Sequence, residues 1–342
     1  MITAKTVRVF FISLLFVLLM VLIPRLVAKH TVEQPIVLPK VDYVEKLKPQ
    51  LQQKPNYYKL KKSFVPTVSA GADFENARAY GVINFDTGEV VASKNLSERI
   101  PVASLAKIMT AVVSLDLASE NEVFTVSHKA EIQPPTKVML KEGEDYPLGK
   151  LLRFMLLSSA NDSAEVIKDG INAKYNQNLF IEAMNRKAQF LGLNSTHFAN
   201  VQGFDDPYQY SSVEDLAILS HYALTNYPQI AQIVSKPYED LTNNNQDLRF
   251  YVNNWNGLLG VYPGIKGIKI GNTGWAGSCT VVLSEREGKR LLSIVLGAPD
   301  IKKRDLWAAQ LLDLGFKRMA NLPSVDVSED QLQAKYDSWV YF

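Results

Sequence analysis

The chain has 342 residues, of which 47% are hydrophobic and 21% are charged, so it carries enough apolar side chains to bury a folded core and is not disordered. Its formal net charge is only +2, and its basic runs are not interleaved with aromatic residues, which argues against nucleic acid as a partner. The single cysteine, Cys279, excludes an internal disulfide, and the four scattered histidines show no zinc-ligand spacing. We expect Cys279 to be a small buried apolar residue.

The composition of residues 1–29 predicts a segment that inserts into a membrane. Lys5 and Arg8 precede an apolar run of 15 residues from Val9 to Ile23. The following IPRLVAKH contains a leucine and an arginine and is a poor cleavage site, so we favour an uncleaved anchor. Because the run is shorter than the ~20 residues of a typical spanning helix, a cleaved signal sequence stays open. Either interpretation predicts that the folded part lies outside the cytoplasm, at the cell membrane or secreted.

Residues 30–74 have the composition of an extended spacer. Prolines recur among lysines and glutamines, a pattern typical of linkers. The basic run YYKLKK, Tyr57 to Lys62, is interpreted as a solvated face of this linker, with contact to anionic lipid as the alternative.

A folded domain is predicted over residues 75–319. In ARAYGVINFDTGEVVAS, two β-type runs flank Asp86, Thr87 and Gly88, which indicates a hairpin. The stretch PVASLAKIMTAVV follows, and its apolar residues recur at helical spacing from Leu105 to Val112. We therefore expect a helix with one buried face.

Ser104 and Lys107 stand at the start of this predicted helix, three positions apart, so their side chains can meet. A serine hydroxyl is a weak nucleophile until a neighbouring base takes its proton, and a desolvated lysine can serve as that base. The N–H groups at the helix N-terminus are suited to stabilise an oxyanion. The spacing S-x-x-K occurs often by chance, so it needs support from elsewhere in the chain.

Two further polar motifs follow in the chain. In LLRFMLLSSANDSAEVI an apolar helical run ends at Ser159, Ala160 and Asn161, an S-x-N triplet. In YPGIKGIKIGNTGWAGSCTVVLS, Lys269, Ile270 and Gly271 precede a β-type run and form a variant of K-T-G. Taken singly, each triplet has an ordinary structural explanation, as a helix cap or a solvated lysine.

The three motifs in this order resemble those of the penicillin-recognising serine enzymes. More specifically, the chain resembles the D-alanyl-D-alanine carboxypeptidases, the low-molecular-mass penicillin-binding proteins of peptidase family S11. This resemblance runs from about Ala77 to about Met319. It also covers DTGEVVASKN, LGLNSTHFANVQGFDDPYQYSSVEDLA, NWNGLL and SIVLGAPD. The resemblance implies an α+β fold of the β-lactamase/transpeptidase type, an antiparallel sheet flanked by helices with a mostly helical subdomain.

The resemblance also implies an activity and catalytic residues. Ser104 would attack the carbonyl between the terminal D-alanines of a peptidoglycan stem peptide, and water would then hydrolyse the acyl-enzyme. Lys107 would be the base, Ser159 would pass a proton to the departing amine, and Asn161 would hold Lys107 and the substrate amide. Lys269 would supply positive charge near Ser159 and the substrate carboxylate. No metal or organic cofactor is implied, and β-lactams would act as inhibitors.

Substrate binding is implied for the residues that follow the lysine of the third motif. Gly271, Asn272 and Thr273 would line the substrate, and the backbone N–H groups of Ser104 and Asn272 would form the oxyanion hole. Two positions depart from the family pattern. Ile270 replaces the usual threonine, whose hydroxyl helps bind the terminal carboxylate, and Trp255 stands where arginine or threonine is common. Thr273 is a candidate replacement hydroxyl.

Three functions are therefore weighed. The first is the D-Ala-D-Ala carboxypeptidase, with endopeptidase or transpeptidase action open. The second is a β-lactamase, whose commonest class needs a glutamate at the start of an E-x-x-L-N pattern. Neither Glu165 nor Glu182 starts that pattern. The third is a non-catalytic or attenuated peptidoglycan-binding or β-lactam-sensing module, which Ile270 and Trp255 keep open.

The remaining expectations concern a histidine and the end of the chain. His197 is interpreted as structural because no G-x-S-x-G elbow accompanies it. Trp307, Leu311 and Leu314 predict a closing helix over the sheet. Residues 320–342 are predicted to be a short tail, whose final WVYF either docks or frays.

Overall fold

The computed structural model describes residues 58–62, 72–241 and 250–339. The predicted anchor or signal sequence and most of the predicted linker lie outside these residues. Within the described ranges, no helix is long and apolar enough to span a bilayer. Residues 58–62, part of the basic run, lie against the domain: the Lys61 N–H donates to the carbonyl of Gly88 at 2.7 Å, and Lys62 pairs with Glu214 at 2.8 Å.

A five-stranded antiparallel sheet organises the described part of the chain, with strand order β2-β1-β9-β8-β7. Two small two-stranded ribbons, β3-β4 and β5-β6, lie apart from it. The strands are β1 (Ala79–Asn84), β2 (Val90–Lys94), β3 (Val123–Thr125), β4 (Asp145–Pro147), β5 (Tyr238–Asp240), β6 (Tyr251–Asn253), β7 (Ile265–Thr273), β8 (Gly277–Arg286) and β9 (Lys289–Ala298).

The helices fall mostly between β2 and β7, and two more follow β9. They are α1 (Lys107–Leu117), α2 (His128–Glu131), α3 (Leu148–Leu157), α4 (Asn161–Lys174), α5 (Phe180–Leu191), α6 (Val213–Asn226), α7 (Pro228–Val234), α8 (Ile301–Ala320) and α9 (Glu329–Asp337). This order confirms the predicted α+β arrangement of an antiparallel sheet, flanking helices and a mostly helical subdomain.

Two hydrophobic clusters hold the layers together. The larger one joins the helices α1 to α7 to the sheet, and the smaller one joins α8 and α9 to it. The predicted apolar face of α1 is confirmed, since Ile108, Met109 and Val112 are fully buried. Cys279 on β8 is buried as predicted, and burial raises the pKa of its thiol to about 11.

The predicted hairpin is also confirmed: β1 and β2 pair in antiparallel fashion around Gly88. Gly88 has a φ of +73°, and a Cβ there would lie 2.3 Å from the carbonyl oxygen of Lys59. A side chain at this turn would therefore displace the short segment at residues 58–62.

The C-terminal segment packs on the domain. Helix α8 is the predicted closing helix, with Trp307 and Leu311 buried. Helix α9 begins with a capping box at Ser328 and buries Leu332 against α8. Trp339 is only 8% exposed, and residues 340–342 lie outside the described part.

Candidate active site

Ser104 lies in a 3-10 turn, Ala103–Ala106, that leads directly into helix α1. Ala103 has a φ of +50°, a left-handed conformation that is uncommon for residues with a side chain. Gly203 packs so closely on this turn that a Cβ at Gly203 would lie 1.9 Å from the carbonyl oxygen of Ala103. The turn thereby holds Ser104 half-buried beside the start of the helix.

The amine of Lys107 is surrounded by three oxygens. Its Nζ lies 2.9 Å from Oγ of Ser104. The same nitrogen donates to Oδ1 of Asn161 at 2.8 Å and to the carbonyl oxygen of Gln202 at 2.7 Å. These two acceptors use both N–H bonds of a neutral amine, which leaves its lone pair for the hydroxyl proton of Ser104.

The electrostatic surroundings of Lys107 favour the same neutral form. The side chain is fully buried. Burial lowers the pKa of Lys107 well below its ordinary value, and the positive charge of Lys269 lowers it further. A lysine without its proton is the form that can act as a general base.

The orientation of the Asn161 amide is set by its other contacts. Nδ2 donates to the carbonyl of Pro134 at 3.0 Å, and the backbone N–H donates to the carbonyl of Thr136 at 2.7 Å. With Nδ2 directed at Pro134, Oδ1 is left to face Lys107. Ser159, two residues before, is 4% exposed and has a φ of +62°.

Strand β7 contributes the buried Lys269, which is 2% exposed. Its Nζ donates to the carbonyl of Ile270 at 3.1 Å. Burial lowers the pKa of Lys269 to about 7, and the charge of Arg304 adds to this effect. This lysine therefore titrates near neutral pH.

Strand β7 also approaches the backbone of Ser104. A Cβ at Gly271 would lie 2.7 Å from the backbone nitrogen of Ser104 and 2.9 Å from Cβ of Ala103. A residue without a side chain is needed for this approach. Asn272, the next residue, is exposed, so the edge beside the Ser104 N–H is open to a ligand.

The hydroxyl of Thr273 is already engaged. It donates to Oδ1 of Asp205 at 2.5 Å and accepts from the N–H of Ala276 at 3.2 Å. Asp205 also accepts from the N–H of Trp275 at 3.0 Å. These contacts tie Thr273 to the loop that follows Gln202. The Thr273 hydroxyl is therefore not free to replace the hydroxyl that Ile270 lacks.

Trp255, the other departure from the family pattern, faces the second motif. Its indole N–H donates to the carbonyl of Ser158 at 2.8 Å. Its ring meets Trp339 edge-on, with the ring centroids 5.0 Å apart. Trp255 therefore contacts both the residue before Ser159 and the C-terminal segment.

In the structure Lys107 contacts both Ser104 and Asn161, and Gly271 lies against the backbone of Ser104. His197 lies elsewhere, with Nδ1 2.6 Å from the carbonyl oxygen of Tyr208. This contact belongs to the local loop.

Sequence reasoning missed Gln202, which acts through its backbone carbonyl. Its side chain amide donates to Oε2 of the buried Glu165 at 2.7 Å, and Glu165 is in turn paired with Lys129 and Lys168. A main-chain contact has no side-chain signature. The neighbouring Gly203 was the one local sign of a close backbone approach at this position.

The sequence matches a known family over most of its length. The profile of the D-alanyl-D-alanine carboxypeptidase family, peptidase S11, matches residues 67–300. The chain is 31% identical over 253 residues to D-alanyl-D-alanine carboxypeptidase DacF of Bacillus subtilis, covering 72% of this chain and 64% of that protein. It is 30% identical over 279 residues to DacA of Escherichia coli, covering 78% of this chain and 67% of that protein.

Solved structures agree with these matches. Penicillin-binding protein D2 of Listeria monocytogenes, in its ampicillin-bound form, superposes with a TM-score of 0.62 and 30% identity. The match covers 70% of this chain and 97% of that protein. A mutant of the Streptomyces K15 DD-transpeptidase superposes with a TM-score of 0.64 and 26% identity, over 73% of this chain and 99% of that one.

Proposed function

This chain belongs to the D-alanyl-D-alanine carboxypeptidase family, peptidase S11, and we propose that it is a serine-type D-Ala-D-Ala carboxypeptidase acting on peptidoglycan stem peptides. The chain spans 64% of the length of the Bacillus relative, so the activity is proposed for the domain that the two share. The observation that carries the proposal is the placement of Lys107, a buried amine whose Nζ lies 2.9 Å from Oγ of Ser104 and also contacts Asn161 and Gln202. In its neutral form this amine can donate to Asn161 and Gln202 and accept the proton of Ser104.

Acylation begins at this pair. Oγ of Ser104 bonds to the carbonyl carbon of the penultimate D-alanine while its proton passes to Nζ of Lys107. The oxygen of that carbonyl becomes negatively charged, and the backbone N–H groups of Ser104 and Asn272 stabilise it. Asn161 keeps Lys107 in place and contacts the substrate amide.

Collapse of this intermediate releases the terminal residue. The bond between carbonyl carbon and nitrogen breaks, and the hydroxyl of Ser159 passes a proton to the departing amine of D-alanine. Lys107, protonated in the first step, resupplies the proton. The charge of Lys269 stabilises the carboxylate of the leaving residue. Water then attacks the ester on Ser104, Lys107 accepts its proton, and the proton returns to Oγ as the shortened peptide leaves.

We further propose that Ile270 reduces the turnover. Isoleucine cannot donate a hydrogen bond to the substrate carboxylate, as the threonine usual in the family can. A hydrogen bond to a charged group is worth roughly 1.5–3 kcal/mol, so its loss costs about one to two decades in rate. The contact of Thr273 with Asp205 supports this proposal, because its hydroxyl is not free to replace the missing one.

The second candidate is a peptidoglycan-binding or β-lactam-sensing module with little or no turnover. Two observations favour it: Ile270 lacks a hydroxyl, and the indole N–H of Trp255 is directed at the carbonyl of Ser158. Penicillin-type inhibitors would acylate Ser104 in either case. A β-lactamase is less well supported, because the buried Glu165 is bound by two lysines and Gln202.

We also propose that the domain acts outside the cytoplasm and is held at the cell membrane by residues 1–29. The apolar run from Val9 to Ile23 supports this location. Membrane fractionation with protease accessibility of the full chain tests it: the domain should sediment with membranes and be digested from the outer side.

The activity is tested with the full chain and a diacetyl-Lys-D-Ala-D-Ala peptide, following free D-alanine over time. A mass shift with benzylpenicillin is measured in parallel. Release of D-alanine that disappears in Ser104→Ala is the expected result. A penicillin adduct without D-alanine release favours the sensing module. If neither an adduct nor free D-alanine is detected, both candidate functions are contradicted.

A further inference from the structure

The backbone at Ser159 is held in an unfavourable conformation. Its φ of +62° lies in the left-handed region, which non-glycine residues adopt only when the surroundings enforce it. Ser159 also lies between two helices, after the end of α3 at Leu157 and before the start of α4 at Asn161. The position of its hydroxyl therefore depends on how firmly this short turn is held.

Residues on both sides of the turn provide those contacts. On the C-terminal side, the N–H of Ala160 donates to the carbonyl of Phe154 at 3.2 Å. On the N-terminal side, Trp255 binds two successive carbonyls: its backbone N–H donates to Leu157 at 3.3 Å and its indole N–H donates to Ser158 at 2.8 Å. The last carbonyls of a helix have no partner within the helix, so Trp255 completes the end of α3.

Trp255 is itself held by the C-terminal segment. Trp339 meets its ring edge-on at 87°, and Tyr336 packs on Trp339 with centroids 4.9 Å apart. The hydroxyl of Tyr336 donates to Oδ2 of Asp305 at 2.8 Å, which fixes α9 on α8. An unbroken series of contacts thus joins the C-terminal helix to the turn that carries Ser159.

We propose that Trp255, held by Trp339, is a positioning residue that keeps Ser159 in the geometry needed for acylation, and that the C-terminal segment is thereby part of the support of the active site. This inference rests on the proposed function, because it needs Ser159 to take part in acylation. Trp255 acts through the Ser158 carbonyl.

The test is rapid-mixing acylation of the full chain by benzylpenicillin, which separates the dissociation constant of the non-covalent complex from the first-order acylation rate. Trp255→Phe removes the N–H donor and keeps an aromatic ring. Trp307→Phe is the matched control, since Trp307 is a buried tryptophan of the same hydrophobic cluster. Trp339→Ala removes the support and leaves the donor, and Trp339→Phe keeps an aromatic support. Thermal unfolding is recorded for each variant.

Trp255→Phe and Trp339→Ala are expected to lower the first-order acylation rate by about three- to tenfold, the effect of one hydrogen bond, with the dissociation constant unchanged. Trp307→Phe and Trp339→Phe should acylate as the wild type does. If Trp255→Phe fails to fold, Trp339→Ala carries the same test.

Wild-type acylation rates in both Trp255→Phe and Trp339→Ala would overturn the inference while leaving the proposed function intact. An equal fall of the acylation rate in Trp307→Phe would also overturn the inference, because the rate would then follow the stability of the protein alone. Absence of an adduct in the wild type would overturn the proposed acylation, and this inference with it.

Discussion

Nζ of Lys107 donates a 2.7 Å hydrogen bond to the backbone carbonyl of Gln202, 95 positions further along the chain. In the neutral form of the lysine, this contact and the one with Asn161 occupy both N–H bonds and leave the lone pair for Ser104, whose Oγ lies 2.9 Å away. The proposed base is therefore oriented by two segments that only the fold brings together.

Replacing Lys107 by arginine should remove the base, because it exchanges an amine that can lose its proton for a permanent cation. A guanidinium does not lose its proton in proteins, so it cannot accept the proton of Ser104. We expect Lys107→Arg to slow acylation by benzylpenicillin about 100- to 10,000-fold. Intact-mass spectrometry over time measures the rate, with Ser104→Ala as the blank. Acylation at the wild-type rate would show that Lys107 is not the base.

The acylation rate should pass through a maximum as pH rises. On the acid side it increases as Lys107 loses its proton, since the neutral amine is the active form and burial lowers its pKa. On the alkaline side it decreases above pH 7 as Lys269, whose pKa is lowered to about 7, loses the charge that binds the carboxylate.

Lys269→Arg tests the assignment of the alkaline side, because arginine stays charged over the whole range. The benzylpenicillin acylation rate is measured from about pH 5 to 10 in both proteins. The decrease above pH 7 should vanish in Lys269→Arg and remain in the wild type. If it remains in both, another group controls that side of the profile.

Gly271→Ala should block the active site. The new methyl group would lie 2.7 Å from the backbone nitrogen of Ser104, so strand β7 must move away from the turn that carries the nucleophile. Loss of an aligned oxyanion donor typically costs about 100- to 1,000-fold in rate, and we expect an effect of that size on D-alanine release and penicillin acylation. Gly274→Ala is the control, since its nearest atom is 3.7 Å away at Asp205. Equal rates in both variants would contradict the close approach.

Restoring a hydroxyl at position 270 should raise activity. Ile270→Thr is expected to increase D-alanine release by about 10- to 100-fold, the value of one hydrogen bond to a carboxylate. Ile270→Val has the shape of threonine without its hydroxyl, so it should behave as the wild type. If valine and threonine give the same increase, side-chain size limits the enzyme and the missing hydrogen bond does not.

Removing one partner of a buried ion pair away from the site should lower the free energy of unfolding strongly. Lys187 and Asp116 lie 2.7 Å apart with both side chains 2% exposed, and Tyr227 also donates to Asp116 at 2.6 Å. Asp116→Ala removes the carboxylate that lies against the buried amine of Lys187, so the free energy of unfolding should fall by about 3–5 kcal/mol.

The exposed pair between Arg186 and Glu182, on the same helix, is the control. Glu182→Ala should change the free energy of unfolding by less than ~1 kcal/mol. Urea denaturation followed by circular dichroism measures both variants. A loss below 1 kcal/mol in Asp116→Ala would show that water reaches the Lys187 amine.

Local chemistry along the chain was enough to predict much of this protein. The hairpin around Gly88, the buried face of α1, the strand β8 and the closing helix α8 all follow from periodicity and turn residues, which act over a few neighbouring positions. The spacing of Ser104 and Lys107 likewise predicted their contact, because three residues make about one helical turn.

The state and surroundings of those side chains were decided by tertiary structure. Burial and the charge of Lys269 lower the pKa of Lys107, and the carbonyl of Gln202 helps to orient its amine, none of which a local pattern encodes. Thr273, a candidate for carboxylate binding, instead donates to Asp205, which lies 68 positions away. Trp255 completes the end of α3 under a C-terminal tryptophan. Burial and long-range hydrogen bonding depend on which distant segments pack together, so the sequence by itself named the groups proposed to react and the fold determined how each one is held.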